Sequence, residues 1–418
     1  MIRPTRLQVL ILLGGLALAL AFAIPQAGLE HVGTDFHVFW QAGRNFASGQ
    51  PLYHDYLPGQ DYLPGERVFK YPPFAAMAFL LLAPFPLQFA AVLWGVANFA
   101  LWAFAILLVR EILSRAMPER NFGPLPLFLA FLFSAQYFLD NFRHLQMNAV
   151  VLVLVLLGIR DYLRGHDVRA AAWFVAGTAM KVTPALFVVW LFLRGRRRAA
   201  LATVPLGLAF LLVPLLARGP RAGIADLADY DRTFLSGQAT GSQICTYHSC
   251  QNIGAMVYRL LRPSDQPEGI DVRLIPASEV VARTAYRGLW SAVLLIFLGT
   301  LVLRRARADP VSPFEWSLTF LAALLLSPIT FKAHLVSLLF VFATFLAVRV
   351  ERLSRTGRWV AGLGLLAMAV PGLTGQDLVG RRTVMYLSGW SVYGWANLLL
   401  FVTAAALLLR RSAPSVPE

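Results

Sequence analysis

The chain has 418 residues, of which 58% are hydrophobic, and its mean hydropathy is +0.62. A soluble domain of this length does not carry so much apolar surface, so these numbers exclude a soluble protein and indicate repeated membrane spans. A formal net charge of +15 is large enough for a nucleic-acid-binding protein. The positions of the basic residues therefore have to show whether nucleic acid or a membrane explains this charge.

The basic residues are concentrated in short segments on one predicted side of the membrane. The inner segments carry 21 Arg against 8 acidic residues, whereas the outer segments carry 13 Arg and 3 Lys against 14 acidic residues. This asymmetry is the positive-inside pattern of a membrane protein. It excludes nucleic acid as a partner and predicts that both termini are cytoplasmic. The inner segments are the N-terminus, 110–120, 160–169, 194–198, 304–315, 349–358 and the C-terminal tail.

Repeated apolar runs of about 16–22 residues predict membrane-spanning helices. Because a backbone inside the bilayer has to satisfy its own hydrogen bonds, we predict one all-α helical bundle over residues 1–418. The first run resembles a signal peptide, but many spans follow it, so we interpret it as an uncleaved first span. The clearest runs are 7–24, 87–109, 124–140, 145–159, 199–217, 288–303, 316–332, 335–349, 359–372 and 388–409.

Three segments do not have the pattern of ordinary spans. Residues 73–84 form a short apolar run bounded by prolines, and residues 140–148 form a polar turn. Residues 170–193 have basic loops on both sides and a central Lys181-Val182-Thr183-Pro184, which predicts two half-helices that enter and leave on the same side. Broken helices at membrane depth line cavities, and their ends are natural phosphate sites. Including such partial segments, we expect about 11–13 membrane segments.

Two long segments are predicted to lie outside the membrane. The first, residues 25–72, is the expected catalytic loop, and the second is residues 218–286. The second loop contains the only two cysteines, Cys245 and Cys250. An extracytoplasmic position permits a disulfide between them, and two free thiols or a Cys/His metal site are the alternatives.

The three lysines are distributed differently from the 34 arginines. Lys70, Lys181 and Lys332 each lie near prolines at a helix end that is predicted to face the outer side. A compact ammonium on a flexible stem is a good phosphate ligand, so we assign all three to a phosphate-binding site. The alternative is that they extend to the lipid headgroups.

Asp35 opens the first loop and is followed at helical spacing by Phe36, Phe39 and Trp40. An interfacial helix with an aromatic face is therefore expected to begin here. A carboxylate at this place can act as a general base or as a helix cap.

The remaining candidate ligands are aromatic and amide side chains. Trp40, Tyr53 and Tyr71 can bind a sugar or acceptor by stacking, or they can belong to the aromatic belt at the membrane surface. Gln146 and Asn148 can hydrogen-bond a ligand or cap the span that follows them.

His334 lies beside Lys332 in a tight turn. It can act in catalysis by binding phosphate or moving a proton, or it can be an ordinary interfacial histidine. The sequence contains no nucleotide-binding loop, dinucleotide fingerprint, HExxH, GxSxG or paired CxxC motif, which argues against a nucleotide-driven pump, a zinc hydrolase and a serine hydrolase. We therefore expect no metal and no cofactor.

The order of these motifs resembles glycosyltransferase family 87. The pattern is D-x-x-V-F/Y-W-x-A-G-x-x-x-x-x-G-x-P-L-Y, then Y-P-P, Q-x-N, K-x-T-P and a late S-P-I-T-x-x-x-H, over about residues 30–340. The matching residues are Asp35, Val38, Phe39, Trp40, Ala42, Gly43, Gly49, Pro51, Leu52, Tyr53, Tyr71, Pro72, Pro73, Gln146, Asn148, Lys181, Thr183, Pro184, Ser327, Pro328 and His334.

The chain departs from the family pattern in two places. It has Leu145-Gln146 where the family often shows Gly-Gln. It also has Phe331-Lys332-Ala333-His334 where the family has an aromatic-His-His turn.

The resemblance implies a GT-C-type fold and an inverting transfer of a hexose, expected to be mannose, from a polyprenyl-phosphate sugar to a lipid or glycan acceptor. Asp35 would be the general base. The Arg-rich, Lys-poor composition indicates a bacterium, so we expect a multi-pass inner-membrane protein, surrounded by membrane lipids, with its active site facing the exterior. The alternative function is a transporter or flippase of lipid-linked sugars, for which mid-membrane charge and half-helices are also suitable.

Overall fold

The computed structural model describes residues 14–21, 23–25, 34–53, 69–118, 123–236, 244–263, 272–348 and 353–410, and the regular elements within these ranges are helices. The predicted all-α fold is confirmed. In chain order the helices are α1 (Gly14–Pro25, residue 22 excepted), α2 (Thr34–Ser48), α3 (Pro73–Ala78), α4 (Leu87–Ala116), α5 (Pro124–Arg143), α6 (Asn148–Leu163), α7 (Asp167–Met180), α8 (Ala185–Leu193), α9 (Arg197–Arg218), α10 (Pro220–Tyr230), α11 (Ile253–Leu261), α12 (Glu279–Ala306), α13 (Pro313–Leu326), α14 (Leu338–Leu346), α15 (Arg355–Gly372), α16 (Gln376–Val379), α17 (Arg381–Gly389) and α18 (Val392–Leu409).

Five of these helices, α4, α5, α9, α12 and α18, are long and apolar enough to cross a membrane, and α1, α13 and the segment Lys332–Leu346 are shorter apolar helices. Large apolar side chains on the long helices face outward: Leu107, Leu201 and Leu295 are each at least 60% exposed. An exposed surface of this kind is stable against lipid rather than water. The chain is therefore a multi-pass membrane protein.

Helix α2 lies near the predicted active site and forms because its apolar residues recur at helical spacing. Phe36, Phe39 and Trp40 are buried, whereas Gln41 and Arg44 on other faces are exposed. The helix ends before Gly49, whose positive φ of 74° is a conformation that glycine adopts without strain.

Arg218, the last residue of α9, holds the end of α2. Its guanidinium donates to the carbonyls of Asn45 and Gln50 at 2.8 Å each, and it also forms a buried ion pair with Asp226 at 2.9 Å. The carbonyls at the end of α2 thus have a cationic partner that also complements the helix dipole.

Two of the three segments with unusual patterns form short helices. Pro73 begins α3, and a 3₁₀ turn over Phe79–Leu81 ends it before the Pro84-Phe85-Pro86 segment. Helices α7 and α8 form the predicted broken hairpin, because Lys181 is extended and Pro184 stands at the start of α8. The break therefore leaves the Lys181 side chain at a helix junction inside the bundle.

An ion network holds the other end of this hairpin. Glu315 on α13 is fully buried and pairs with Arg304 of α12 at 2.8 Å and with Arg194, just after α8, at 3.3 Å. Arg304 also donates to the carbonyl of Leu408 on α18 at 2.9 Å. The network therefore connects four helices.

Candidate active site

Asp35 lies in the first turn of α2 and is half-buried. The Nε2 of Gln146, in the turn between α5 and α6, donates to Asp35 Oδ2 at 2.5 Å. A hydrogen bond that holds one carboxylate oxygen fixes the direction of the carboxylate. Asp35 also acts electrostatically on Lys70, Tyr71 and Lys181, so these four side chains lie around one site.

The turn that carries Gln146 has a strained backbone. Leu145 has a positive φ of 46°, and its carbonyl accepts a hydrogen bond from Trp94 Nε1 at 2.8 Å. A left-handed conformation favours glycine. The family's Gly-Gln therefore fits this geometry, and the leucine in this chain occupies the same position at a cost in backbone strain.

Lys181 reaches the site from the break between α7 and α8. Its Nζ donates to Asn148 Oδ1 at 2.8 Å and lies 5.9 Å from the centre of the Tyr71 ring. Asn148 in turn donates to the carbonyl of Ala333 at 3.1 Å. The Lys181 amine is therefore held by a neutral acceptor and an aromatic face at the edge of the site.

Tyr53 supports Tyr71 rather than lining the site beside Asp35. Its hydroxyl donates to the carbonyl of Tyr71 at 2.6 Å, and only 5% of the residue is exposed. Its ring packs between Phe69 and Tyr230, with centroids 5.8 Å away in each case. Burial raises the pKa of the Tyr53 hydroxyl, so it stays a neutral donor.

A cavity opens next to Lys181, between α6, the α7–α8 break, α13 and the turn after α13. Its apolar wall includes Val151, Phe187 and Phe320. Its polar lining consists of Asn148, Lys181, Thr183, Thr330, His334 and Ser337. An apolar cavity with a few convergent polar groups is the usual form of a ligand site.

His334 lines this cavity, but its hydrogen bonds lie within its own turn. Its Nδ1 accepts from the backbone N–H of Phe331 at 3.2 Å, and the ring also hydrogen-bonds the backbone of Ile329. Since both partners are backbone groups of the same turn, His334 shapes the turn as well as facing the cavity.

Two of the residues that we assigned from sequence point elsewhere. Lys332 lies 5.0 Å above the Tyr393 ring and interacts electrostatically with Asp140 and Asp377. Trp40 donates to the carbonyl of Phe85 at 3.1 Å. Neither contact brings the side chain to Asp35.

The loop that contains the two cysteines supports one side of the cavity. Cys245 and Cys250 form a disulfide. Immediately after it, the N–H of Gln251 donates to the carbonyl of Thr330 at 2.7 Å, and Asn252 Nδ2 donates to the carbonyl of Ser327 at 2.9 Å. The Ser327–Thr330 turn therefore rests on this loop.

Within the described residues, His, Cys, Asp and Glu side chains form no group of three or more that could hold a metal ion. Our sequence analysis missed Asn98 on α4 and Asn141 on α5, which connect to Asn148 through hydrogen bonds. A signal existed for Asn98, because it is a polar residue in the middle of a long apolar run.

The fold and the site define a multi-pass membrane protein with a carboxylate held by Gln146 and with Lys181 lining a cavity between helices. The chain belongs to glycosyltransferase family 87, a family of GT-C membrane glycosyltransferases, because the sequence model of that family matches residues 69–328. The predicted resemblance is therefore confirmed. Lys70, Gln146, Asn148 and Lys181 lie inside the matched range, whereas Asp35 lies before it.

A curated relative extends the likeness to almost the whole chain. A polyprenol-phosphate-mannose-dependent alpha-(1-2)-phosphatidylinositol pentamannoside mannosyltransferase of Mycobacterium tuberculosis (strain CDC 1551 / Oshkosh) is 25% identical over 411 residues. The alignment covers 97% of this chain and 87% of the relative.

Proposed function

We propose that this glycosyltransferase moves a mannose from a polyprenyl-phosphate donor to a hydroxyl of a lipid or glycan acceptor, with inversion at the anomeric carbon. The observation that carries the proposal is the Asp35 carboxylate, which Gln146 orients at 2.5 Å and which acts electrostatically on Lys70 and Lys181. The name of the mycobacterial relative supports the donor and a lipid acceptor.

Asp35 is the general base of the proposed reaction. It takes the proton of the acceptor hydroxyl while that oxygen attacks the anomeric carbon. The bond from the anomeric carbon to the new oxygen forms as the bond to the phosphate oxygen breaks. The leaving polyprenyl phosphate keeps the electron pair, and the proton remains on Asp35 until it passes to solvent.

Lys181 and Lys70 bind the phosphate of the donor in this proposal. The leaving group gains negative charge as the glycosidic bond breaks, so fixed cations close to it lower the barrier. Lys181 is suited to this role because its hydrogen-bond acceptor, Asn148 Oδ1, carries no charge that competes with the phosphate. The apolar wall of the cavity can receive the first part of the polyprenyl chain.

The site faces the exterior of a bacterial inner membrane in this proposal. The support is the charge asymmetry. The Arg-rich segments that contain Glu111, Asp161 and Glu315 are predicted to lie on the opposite side of the membrane from the loop that contains Asp35.

The test is a transfer assay with purified protein, labelled polyprenyl-phosphate mannose and a mannosylated lipid acceptor. Asp35→Asn removes the base without changing the size of the side chain, and we expect kcat to fall by at least about 10²-fold. Binding of polyprenyl phosphate should be retained, which separates loss of the base from loss of the fold.

Asp377→Asn is the matched control. Asp377 is an exposed carboxylate whose partner is Arg143 at 2.8 Å, so the same charge change should leave kcat within about twofold. A rate for Asp35→Asn within about tenfold of the wild type would contradict the proposal. Movement of the donor across vesicles without transfer, unchanged in Asp35→Asn, would identify a flippase instead.

A further inference from the structure

Three buried asparagines form a hydrogen-bonded chain that ends at Lys181. Asn98 Nδ2 donates to the carbonyl of Trp94 at 3.0 Å, and Asn141 Nδ2 donates to Asn98 Oδ1 at 3.4 Å. Asn148 Nδ2 donates to Asn141 Oδ1 at 3.2 Å, and Lys181 Nζ donates to Asn148 Oδ1 at 2.8 Å. The chain crosses from α4 through α5 and α6 to the break between α7 and α8.

The direction of this hydrogen-bonded chain is set by backbone carbonyls at both ends, Trp94 for Asn98 at 3.0 Å and Ala333 for Asn148 at 3.1 Å. A backbone carbonyl can only accept, so Asn98 has to turn its NH₂ toward Trp94 and its oxygen toward Asn141. The same requirement passes along each amide, and the last amide presents an oxygen to Lys181. If one amide were reversed, an NH₂ group would face another NH₂ group or the ammonium.

The three asparagines are shielded from solvent, so water cannot replace the hydrogen bonds between them. Asn98 and Asn141 are fully buried and Asn148 is 5% exposed. Buried amides without partners are unfavourable, and in a medium of low dielectric a fixed dipole acts strongly on a neighbouring charge. The chain therefore supplies a fixed neutral acceptor for Lys181 where a carboxylate would neutralise it.

We propose that Asn98 and Asn141 are positioning residues for Lys181, acting through Asn148 to keep the lysine ammonium oriented toward the donor phosphate. Neither residue lines the cavity. This inference rests on the proposed function of Lys181 as a phosphate ligand. It adds two residues, on α4 and α5, which contribute no other side chain to the proposed reaction.

The experiment measures the dissociation constant of polyprenyl phosphate for the purified full-length protein, together with its thermal unfolding. Lys181→Met should weaken binding about 10–100-fold, since it removes a charge-assisted contact. Asn141→Leu should weaken binding about 3–10-fold, and Asn98→Leu should act in the same direction with a smaller effect.

Asn397→Leu is the matched control. Asn397 on α18 is 1% exposed, and its amide atoms have no hydrogen-bond partner among the described residues. It is an equally buried asparagine that does not belong to the hydrogen-bonded asparagine chain, so its replacement should leave polyprenyl-phosphate binding unchanged.

A double-mutant cycle separates positioning from a general structural role. If Asn141 acts through Lys181, Asn141→Leu has no further effect on binding in the Lys181→Met background. Independent, additive losses in the cycle would overturn the inference. If Asn141→Leu does not fold, the same cycle with Asn98→Leu decides.

The outcomes also distinguish this inference from the proposed function. Unchanged binding in Lys181→Met would overturn the phosphate site itself. Weakened binding in Lys181→Met with unchanged binding in both asparagine variants would overturn only the positioning role.

Discussion

Lys70 precedes the Tyr71-Pro72-Pro73 entry to α3, and its ammonium titrates close to neutral pH. Burial lowers its pKa to about 8, while the attraction of Asp35 acts in the opposite direction. The cationic form therefore predominates below about pH 8 and is lost as the pH rises through that value. A phosphate ligand with this property makes donor binding depend on pH.

We predict that kcat/KM for the polyprenyl-phosphate donor falls as the pH rises through about 8. Lys70→Arg should move this fall to higher pH, because a guanidinium remains protonated. Lys70→Met should lower kcat/KM below pH 8 and remove the fall. The measurement is the pH profile of kcat/KM for the three proteins, and an unchanged fall in Lys70→Met would show that another group causes it.

Two other residues show why side-chain direction was hard to predict. Lys332 is two positions before His334, and on a 3₁₀ turn such residues point apart, so His334 faces the cavity while Lys332 lies over Tyr393. Trp40 is five positions after Asp35, which places it on a different face of α2. Residue type indicated a ligand in both cases, but local geometry sets the direction.

At the scale of elements, the turn between α5 and α6 combines strain with burial. Leu145 is in the left-handed region, which costs a residue other than glycine about 1–2 kcal/mol, and it is also fully buried. Its hydrophobic contacts compensate for the backbone strain, and so the turn still presents Gln146 to Asp35.

We predict an inverted order of stability at this position. Leu145→Ala and Leu145→Gly both lose buried contacts, worth about 2–5 kcal/mol, but only glycine also relieves the strain. Leu145→Gly should therefore be more stable than Leu145→Ala by about 1 kcal/mol, as measured by unfolding in detergent.

Leu152 on α6 is the matched control, since it is 3% exposed and lies in a regular helix. There the glycine variant should be less stable than the alanine variant by about 0.5–1 kcal/mol. The same order at both positions would contradict the strain at Leu145.

At the scale of the whole molecule, the buried Glu315 network holds α8, α12, α13 and α18 together. We predict that Glu315→Gln destabilises the protein by about 3–5 kcal/mol, because it removes the charge partner of buried Arg194 and one of the two carboxylates that pair with buried Arg304, the other being Asp309 at 3.4 Å. Thermal unfolding in detergent measures the loss.

Glu111→Gln provides the comparison. Glu111 pairs with Arg115 and Arg164, but all three side chains are about one-third exposed or more. We expect a change of at most about 1 kcal/mol there. If both variants lose the same amount of stability, the burial of Glu315 does not determine how much its ion pairs stabilise the protein.

The sequence predicted the all-helical fold, the broken hairpin around Lys181 and the family, because apolar run length, proline and charge placement are local signals. It did not predict the asparagine chain or the Arg218 contact to α2. These depend on partners that are distant in the sequence, such as Asn141 and Asn98, and hydropathy contains no information about which buried amides meet.

Arg218 has a consequence for the order in which the protein is made. Its guanidinium meets the carbonyl of Asn45, a residue that the ribosome adds 173 positions earlier. Until α9 has been synthesised and inserted, the end of α2 lacks this partner. The helix with Asp35 therefore leaves the ribosome well before it acquires this support.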